Sequence, residues 1–352
     1  MNLRNKVLLF TVAWLAVITA MHGYLNVNWG AIFNDFRPPE KRRVVVAYIP
    51  VTCQLTCPVT DYISKFSENG EMFLPRMFQG FPEIKEALIS NKVQAAFIVA
   101  PLAIELVSQD VPIKVVYLGH RYGSALVVSK NGPVKNFTDL RGRTVAIPSR
   151  FSDERLILFR AMKVWGMKPD DIKMVEMAPP DVSGALAAGA IDGFVMGEPF
   201  PSQAEMGGFG RILFQARDYW PDYMSCILVV RQDLIDQRPE TVQVLVDGIA
   251  RSGLWLDKGK PYREDAADFV GRYYYNQKPA LLRWALTNPM DRVVYSPLAP
   301  RQPDFDMVRD LMMETGVLDR KIDFTEYTDT RFSDRASIQT AWKYEPGIAR
   351  AR

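Results

Sequence analysis

Between residues 44 and about 230 the chain alternates short β-branched runs with helical stretches, and this alternation limits the fold more than any other feature. Parallel strands need a crossover of a dozen or more residues, which a helix supplies, so the pattern points to sheets flanked by helices. Strand-like runs occupy 44–49, 93–99, 113–118, 125–129, 144–147, 173–177, 191–196 and 226–230. Helical patterns fall at 82–91, after Pro148 and Ser149 with Leu156, Ile157, Leu158 and Phe159, and at 183–190, which Gly189 ends. From Arg238 onward the sequence reads as mostly helical. Val242, Leu245, Val246, Ile249 and Leu254 mark one face there, and further helices are expected at 264–274 and 305–315. Trp255 and Trp284 are expected in the core. No internal repeat is evident, and the fold class is α/β.

Composition excludes several classes of partner. The 43 Lys and Arg against 40 Asp and Glu leave a net charge of +3 on 352 residues, too even a balance for nucleic-acid binding. Only His22 and His120 are present, so a multi-histidine metal site is excluded, and three cysteines make neither a disulfide scaffold nor a structural zinc site. No cofactor is expected, although a cation accompanying a ligand stays open.

The one uneven stretch is the amino terminus. Arg4 and Lys6 precede an apolar run from Val7 to Met21, and no charged residue follows until Asp35. As a helix to Leu25 it would be about 28 Å long, close to a bilayer core. Cleavage after Ala20 would leave Ile18 at the minus-three position, which suits a signal peptidase poorly. The pattern therefore reads as an anchor through residues 7–25 with Arg4 and Lys6 on the cytoplasmic side, a cleaved signal peptide being the alternative. Residues 26–43, with Pro38, Pro39 and the cluster Lys41, Arg42 and Arg43, read as a tether.

Three segments carry a family likeness. They are Tyr48-Ile49-Pro50 after the first strand, the stretch Asp139 to Pro148, and Ile191-Asp192-Gly193-Phe194 followed by Gly197-Glu198-Pro199-Phe200. In this order and spacing the chain resembles the nitrate, sulfonate and bicarbonate type of ABC-transporter solute-binding protein over residues 44–332. Residues 149–152 look most like the nitrate and bicarbonate branch. The resemblance implies a two-lobed (type II) periplasmic-binding-protein fold, each lobe a mixed sheet flanked by helices. Lobe 1 would be discontinuous, 44–124 and 226–332, lobe 2 would be 125–225, and 333–352 would be a tail. The partners it implies are a small-molecule solute, an ABC permease and its ATPase, with the protein a periplasmic monomer.

In open α/β sheets, ligands sit beyond the carboxyl ends of strands, and that is where the candidate site residues fall. Thr52, Cys53 and Gln54 follow the first strand, and in the family this loop contacts ligand; for Thr52 a capping role is the alternative. Cys53 and Cys57 are four residues apart, and three readings stand: small pocket or core residues, a disulfide, or soft-metal and thiol chemistry. Cys226 is expected to be buried in a crossing strand. Gly80 and Phe81 begin one helix, Ala100 and Pro101 follow another strand, and both loops would line lobe 1. His120, Arg121 and Tyr122 combine an imidazole, a fixed cation and an aromatic ring at the first crossing. Ser149 and Arg150 precede a helix whose amides attract anions, although Ser152, Asp153 and Glu154 are also a good helix start. Glu198 is expected in the pocket, where Arg121, Arg150 or a bound cation would have to balance it.

The expected function is capture of a small polar, anionic or zwitterionic solute by lobe closure, without a reaction. The alternatives are an enzyme like the thiamine-pyrimidine synthases of the same fold, whose cysteine-rich, cofactor-lysine pattern is not found here, and a tethered sensory or scaffold module.

Overall fold

A computed structural model describes residues 2–26, 29–67, 70, 72–336 and 338–347. The chain divides into two compact units, Met1–Arg43 and Val44–Arg352.

In the first unit a single helix, Leu3–Asn26, carries an apolar span from Leu3 to Leu25 that is long enough to cross a membrane. A second, short helix, Trp29–Asp35, lies within the segment read as a tether. The indole of Trp29 donates to the Gly23 carbonyl at 2.8 Å and stacks on Phe33, so part of the expected tether is helical.

The second unit holds two sheets. The first has six strands in the order β11-β4-β10-β3-β1-β2: β1 (Val45–Tyr48), β2 (Leu74–Met77), β3 (Ala95–Ile98), β4 (Ile113–Tyr122), β10 (Met224–Arg231) and β11 (Val293–Val294). The other has five, in the order β7-β6-β8-β5-β9: β5 (Ser124–Ser129), β6 (Thr144–Ile147), β7 (Lys173–Glu176), β8 (Gly193–Gly197) and β9 (Gly210–Gln215). In the first sheet β1 runs parallel to β2 and β3, and in the second β6 runs parallel to β7 and β8. Each parallel trio meets an antiparallel strand, β10 beside β3 and β5 beside β8. Helices cover the faces, so every residue of β1 and β3 is buried, which is why these strands read as unbroken apolar runs.

Both sheets reverse their strand order beside β1 and β6, and a crevice opens at such a switch point. The loops after β1 and β6, beginning near Thr52 and Ser149, therefore occupy equivalent places in the two sheets.

The chain passes from one sheet to the other between β4 and β5 and returns between β9 and β10. At the first passage Tyr122 and Gly123 take φ of 67° and 82°. A Cβ on Gly123 would come within 2.7 Å of Val293 and 2.9 Å of the His120 ring, so glycine alone fits this turn.

Two expectations change at the carboxyl end. Trp255 is fully buried, but Trp284 is 41% exposed, because it sits on the outer side of helix Pro279–Thr287. Within the segment expected as a tail, Trp342 and Tyr344 pack on the helix Pro239–Leu256. The Trp342 indole donates to Ser252 Oγ at 2.9 Å beneath the Arg251 guanidinium, and Trp255 donates to the Tyr344 carbonyl at 2.7 Å.

Candidate functional site

The carboxyl ends of β1, β3 and β4 meet those of β6 and β8, and polar groups gather where they meet. Thr52 opens a single 3-10 turn, Thr52–Gln54, directly after β1. Its amide donates to the Glu198 carbonyl at 2.8 Å, and its hydroxyl lies 3.0 Å from His120 Nε2. Tyr295 donates to the Thr52 carbonyl at 2.9 Å, and Tyr275 donates to that of Val51 at 2.8 Å. Thr52 is therefore bonded across the junction and does not cap the helix Thr56–Ser64.

His120, on β4, is fully buried with its ring edge-on to Tyr295. Burial, with a contribution from Arg263, pulls its pKa down to about 3, so the imidazole is neutral at pH 7. Its Nδ1 has no hydrogen-bond partner among the described residues.

Of the three readings left open for Cys53 and Cys57, the structure gives each residue a different one. Cys53 is bonded to Cys226 on β10, with Cα atoms 5.5 Å apart, and Cys57 is a buried free thiol. The bridge spans 173 residues of sequence, which no local spacing rule detects. Cys226 does lie buried in a crossing strand. Gln54 turns inward, accepting from the Ile49 amide at 2.6 Å and donating toward Cys226 Sγ at 3.5 Å.

Glu198 directly follows β8 and is buried to 1% exposure. Its countercharge is Arg292, 2.5 Å away, and neither Arg121 nor Arg150 approaches it. Arg292 also donates to Ser202 Oγ at 3.0 Å, and the Ser202 amide donates to the second carboxylate oxygen at 3.1 Å. Burial raises the Glu198 pKa while Arg292 opposes the rise. The charge that Glu198 was expected to need thus comes from the chain itself.

The helix after β6 begins with a second set of acidic groups. Ser152 caps helix Asp153–Val164, accepting from the Arg155 amide at 3.3 Å. The next two residues are the acidic first turn that the helix start implied, and both are buried, Asp153 at 0% and Glu154 at 4% exposure. Among the described residues neither carboxylate has a cationic partner; the Ala100 amide reaches toward Asp153, and the Ser152 hydroxyl toward Glu154. Glu154 Oε1 accepts from Ser124 Oγ at 3.0 Å, and Tyr223 donates to that hydroxyl at 3.1 Å. Burial, then the neighbouring Glu154, pushes Asp153 well up, against a pull from the Ala100 amide across the junction. Burial brings Glu154 up to about 6.

The other expected residues are placed as follows. Ala100 and Pro101 are buried at the start of helix Ala100–Ser108, facing this acidic pair through the Ala100 amide. Ser149 is buried, and its hydroxyl accepts from the Phe151 amide at 3.1 Å. Arg121 is buried but committed to Asp304 at 2.7 Å and to the Asp222 carbonyl, so its guanidinium is unavailable to balance Glu198. Tyr122 lies at the turn itself, its amide bonded to the Tyr223 carbonyl at 3.0 Å. Gly80 and Phe81 start helix Phe81–Ile89, the Gly80 amide donating to Glu83 at 2.8 Å. Arg150 is exposed and lies over the Phe151 ring, while its amide donates to Glu176.

Sequence reasoning passed over Asp153, Glu154, Ser124, Tyr223, Arg292 and Tyr295 as site residues. Only Asp153 and Glu154 had a signal, two adjacent carboxylates directly after a strand, and helix-start chemistry explains that pattern equally well. Among the described residues no group of three or more His, Cys, Asp or Glu is arranged to hold a metal ion.

Residues 37–271 match the model of the NMT1-like family. The chain belongs to the NMT1-like family. Within that setting, the NMT1-like chain is 32% identical over 200 residues to the taurine-binding periplasmic protein of Escherichia coli K12, an alignment covering 55% of this chain and 59% of that one. It spans less than two thirds of the length of the curated relatives it matches. Among solved structures it resembles the ligand-binding component of an ABC-type import system from Staphylococcus aureus, solved with zinc bound, at a TM-score of 0.75 and 22% identity. That match covers 83% of this chain and 98% of the other. It also resembles the periplasmic nitrate-binding protein NrtA of Synechocystis PCC 6803, at a TM-score of 0.72 and 15% identity over 84% and 88% of the two chains. The NMT1-like chain therefore has the two-lobed α/β fold of periplasmic binding proteins.

Proposed function

We propose that the protein is the periplasmic solute-binding component of an ABC importer. It captures a small polar solute, anionic or zwitterionic, between two closing lobes and delivers it to an inner-membrane permease and its ATPase. The observation that carries this reading is the junction itself, where the strand ends of both sheets face each other and the Thr52 amide is bonded to the Glu198 carbonyl. A binding protein needs buried polar groups on both sides of a hinge, and Thr52, His120 and Ala100 lie on one side with Glu198, Asp153 and Glu154 on the other. The name of the Escherichia coli relative, a taurine-binding periplasmic protein, agrees with this reading.

The lobes are 44–124 with 226–332, and 125–225; residues 338–347 pack with the first. The turn at Gly123 and the return before β10 are the hinge. No reaction is assigned to the protein, and it works as a monomer. Residues 7–25 anchor it in the inner membrane, with Arg4 and Lys6 on the cytoplasmic face.

Titration calorimetry of the detergent-solubilised full chain tests the reading. The panel is nitrate, bicarbonate, taurine, alkylsulfonates and pyrimidines, screened first by thermal shift. At least one solute is expected to bind with a dissociation constant of about 10 µM or below, near −7 kcal/mol. Absence of binding across the panel and a wider set of polar solutes would remove the proposal.

A further inference from the structure

We propose that the short helix Trp29–Asp35 lies in the surface of the bilayer, its apolar side among the lipids beside the point where the first helix leaves them. The proposal rests on the reading of residues 7–25 as an uncleaved anchor and goes beyond it, since that reading made residues 26–43 a plain tether.

The spacing of the large side chains leads to it. Trp29, Ile32, Phe33 and Phe36 recur at i, i+3, i+4 and i+7, which at 3.6 residues per turn puts them on one stripe. All four are between 41% and 81% exposed. Such a stripe is unfavourable in water, and seven residues are too few for a helix to hold itself by propensity. Contacts within its own chain hold it instead. Asn34, about 140° round the helix from Trp29, is buried opposite the stripe. Its side-chain amide donates to the Arg43 carbonyl at 3.1 Å, and its Oδ1 accepts from the Arg43 amide at 2.8 Å. One face is thus closed by the chain and the other is left to something outside it.

The position of the stripe selects what covers it. The apolar span Leu3–Leu25 is about 34 Å long as a helix, enough to cross the hydrocarbon core, so Gly23 falls at the lipid–water boundary. The Trp29 indole donates to the Gly23 carbonyl at 2.8 Å, which brings the first residue of the stripe to the same level. Tyr24, exposed beside it, adds a second ring of the kind that favours this boundary. Basic residues follow directly. Over residues 29–43, Arg37, Lys41, Arg42 and Arg43 stand against Asp35 and Glu40, and Arg37, Lys41 and Arg42 are exposed. An apolar stripe flanked by excess positive charge fits an anionic lipid surface. A protein partner would account for the stripe but not for its place at the end of the span.

The test uses the full chain in vesicles of phosphatidylethanolamine with about one quarter phosphatidylglycerol. Spin labels are attached at Val12→Cys, Ile32→Cys, Phe33→Cys and Glu40→Cys, one per variant, and their collisions with oxygen and with a water-soluble nickel chelate are measured. The wild type, whose free thiol Cys57 is buried, sets the background. Labels at Ile32 and Phe33 are expected about 5–10 Å below the headgroup boundary, with nickel collisions about tenfold or more below those at Glu40. If they are as open to nickel as the label at Glu40 while that at Val12 is shielded, the proposal is overturned and the anchor stands. A label at Val12 that is open to nickel removes the anchor, and the proposal falls with it. Shielding at Ile32 and Phe33 that disappears when the protein is diluted with excess lipid assigns the stripe to a second copy of this chain and also overturns the proposal.

Discussion

At the scale of single residues, burial decides the chemistry. His120 is the only histidine in the second unit, and its neutrality follows from desolvation. Its folded pKa of about 3 lies below the ordinary value of 6.5, so between those values the unfolded chain binds more protons. Stability is therefore lost as pH falls from 6.5 toward 3. At about 1.4 kcal/mol per unit this amounts to roughly 3 kcal/mol by pH 4. Glu154 acts in the opposite sense. Its pKa is raised from 4.5 to about 6, so the empty protein loses stability as pH rises through that window. Urea denaturation of wild type and His120→Asn at pH 7 and pH 4 separates the two. The wild type is expected to lose about 3 kcal/mol more than the variant on acidification, and equal losses would show that the ring is not held neutral.

At the scale of elements, the turn Thr52–Gln54 is held to the sheet by both covalent and polar links. The Cys53–Cys226 bond fixes it to β10, and a Cβ on Gly119 of β4 would collide with the Cys53 carbonyl, so the turn lies directly on the strands. Closing 173 residues removes unfolded-chain entropy that, in the loop-closure model, is worth about 5 kcal/mol. Replacing both cysteines by alanine is expected to lower unfolding stability by about 2–5 kcal/mol and to abolish the effect of reductant seen in the wild type. Coincident denaturation curves with and without reductant in the wild type would contradict this. Cys57, whose thiol is pushed up by burial and by Asp61, stays protonated beneath the turn.

At the scale of the whole molecule, the junction is bridged at several separate points. Thr52 bonds to Glu198, Arg292 pairs with Glu198, Arg217 pairs with Asp291 at 2.9 Å, and Lys163 pairs with Glu314 at 2.6 Å. The last two are exposed pairs that contribute little, whereas Arg292 is buried. Removing Arg292 leaves Glu198 buried without a countercharge in the closed form, a cost of about 3–5 kcal/mol that an open form escapes by hydrating the carboxylate. Arg292→Ala is therefore expected to favour the open form and to weaken solute binding at least tenfold. Small-angle scattering checks this directly: the variant should keep the larger radius of gyration at solute concentrations that compact the wild type. A variant as compact and as tight as the wild type would show that this pair does not govern closure.

The alternation of β-branched runs and helical stretches was enough to read the α/β class, most strand positions and the long amino-terminal apolar helix, because those depend on local periodicity. The strand ends bearing Thr52, His120 and Glu198 were legible for the same reason, since a strand followed by a loop marks where a crevice opens. The two-residue β11 was not read, having too few residues for a period, and β9 was missed although its six residues exceed the four of β1. Which charge pairs with which was also beyond reach. Arg292 lies 94 residues from Glu198 and Cys226 lies 173 from Cys53, and only the folded chain brings them together. Asp153 and Glu154 show the division most clearly. Their order after Ser152 determined a helix start, but the packing that buries them without a cationic partner among the described residues exists only in the tertiary structure.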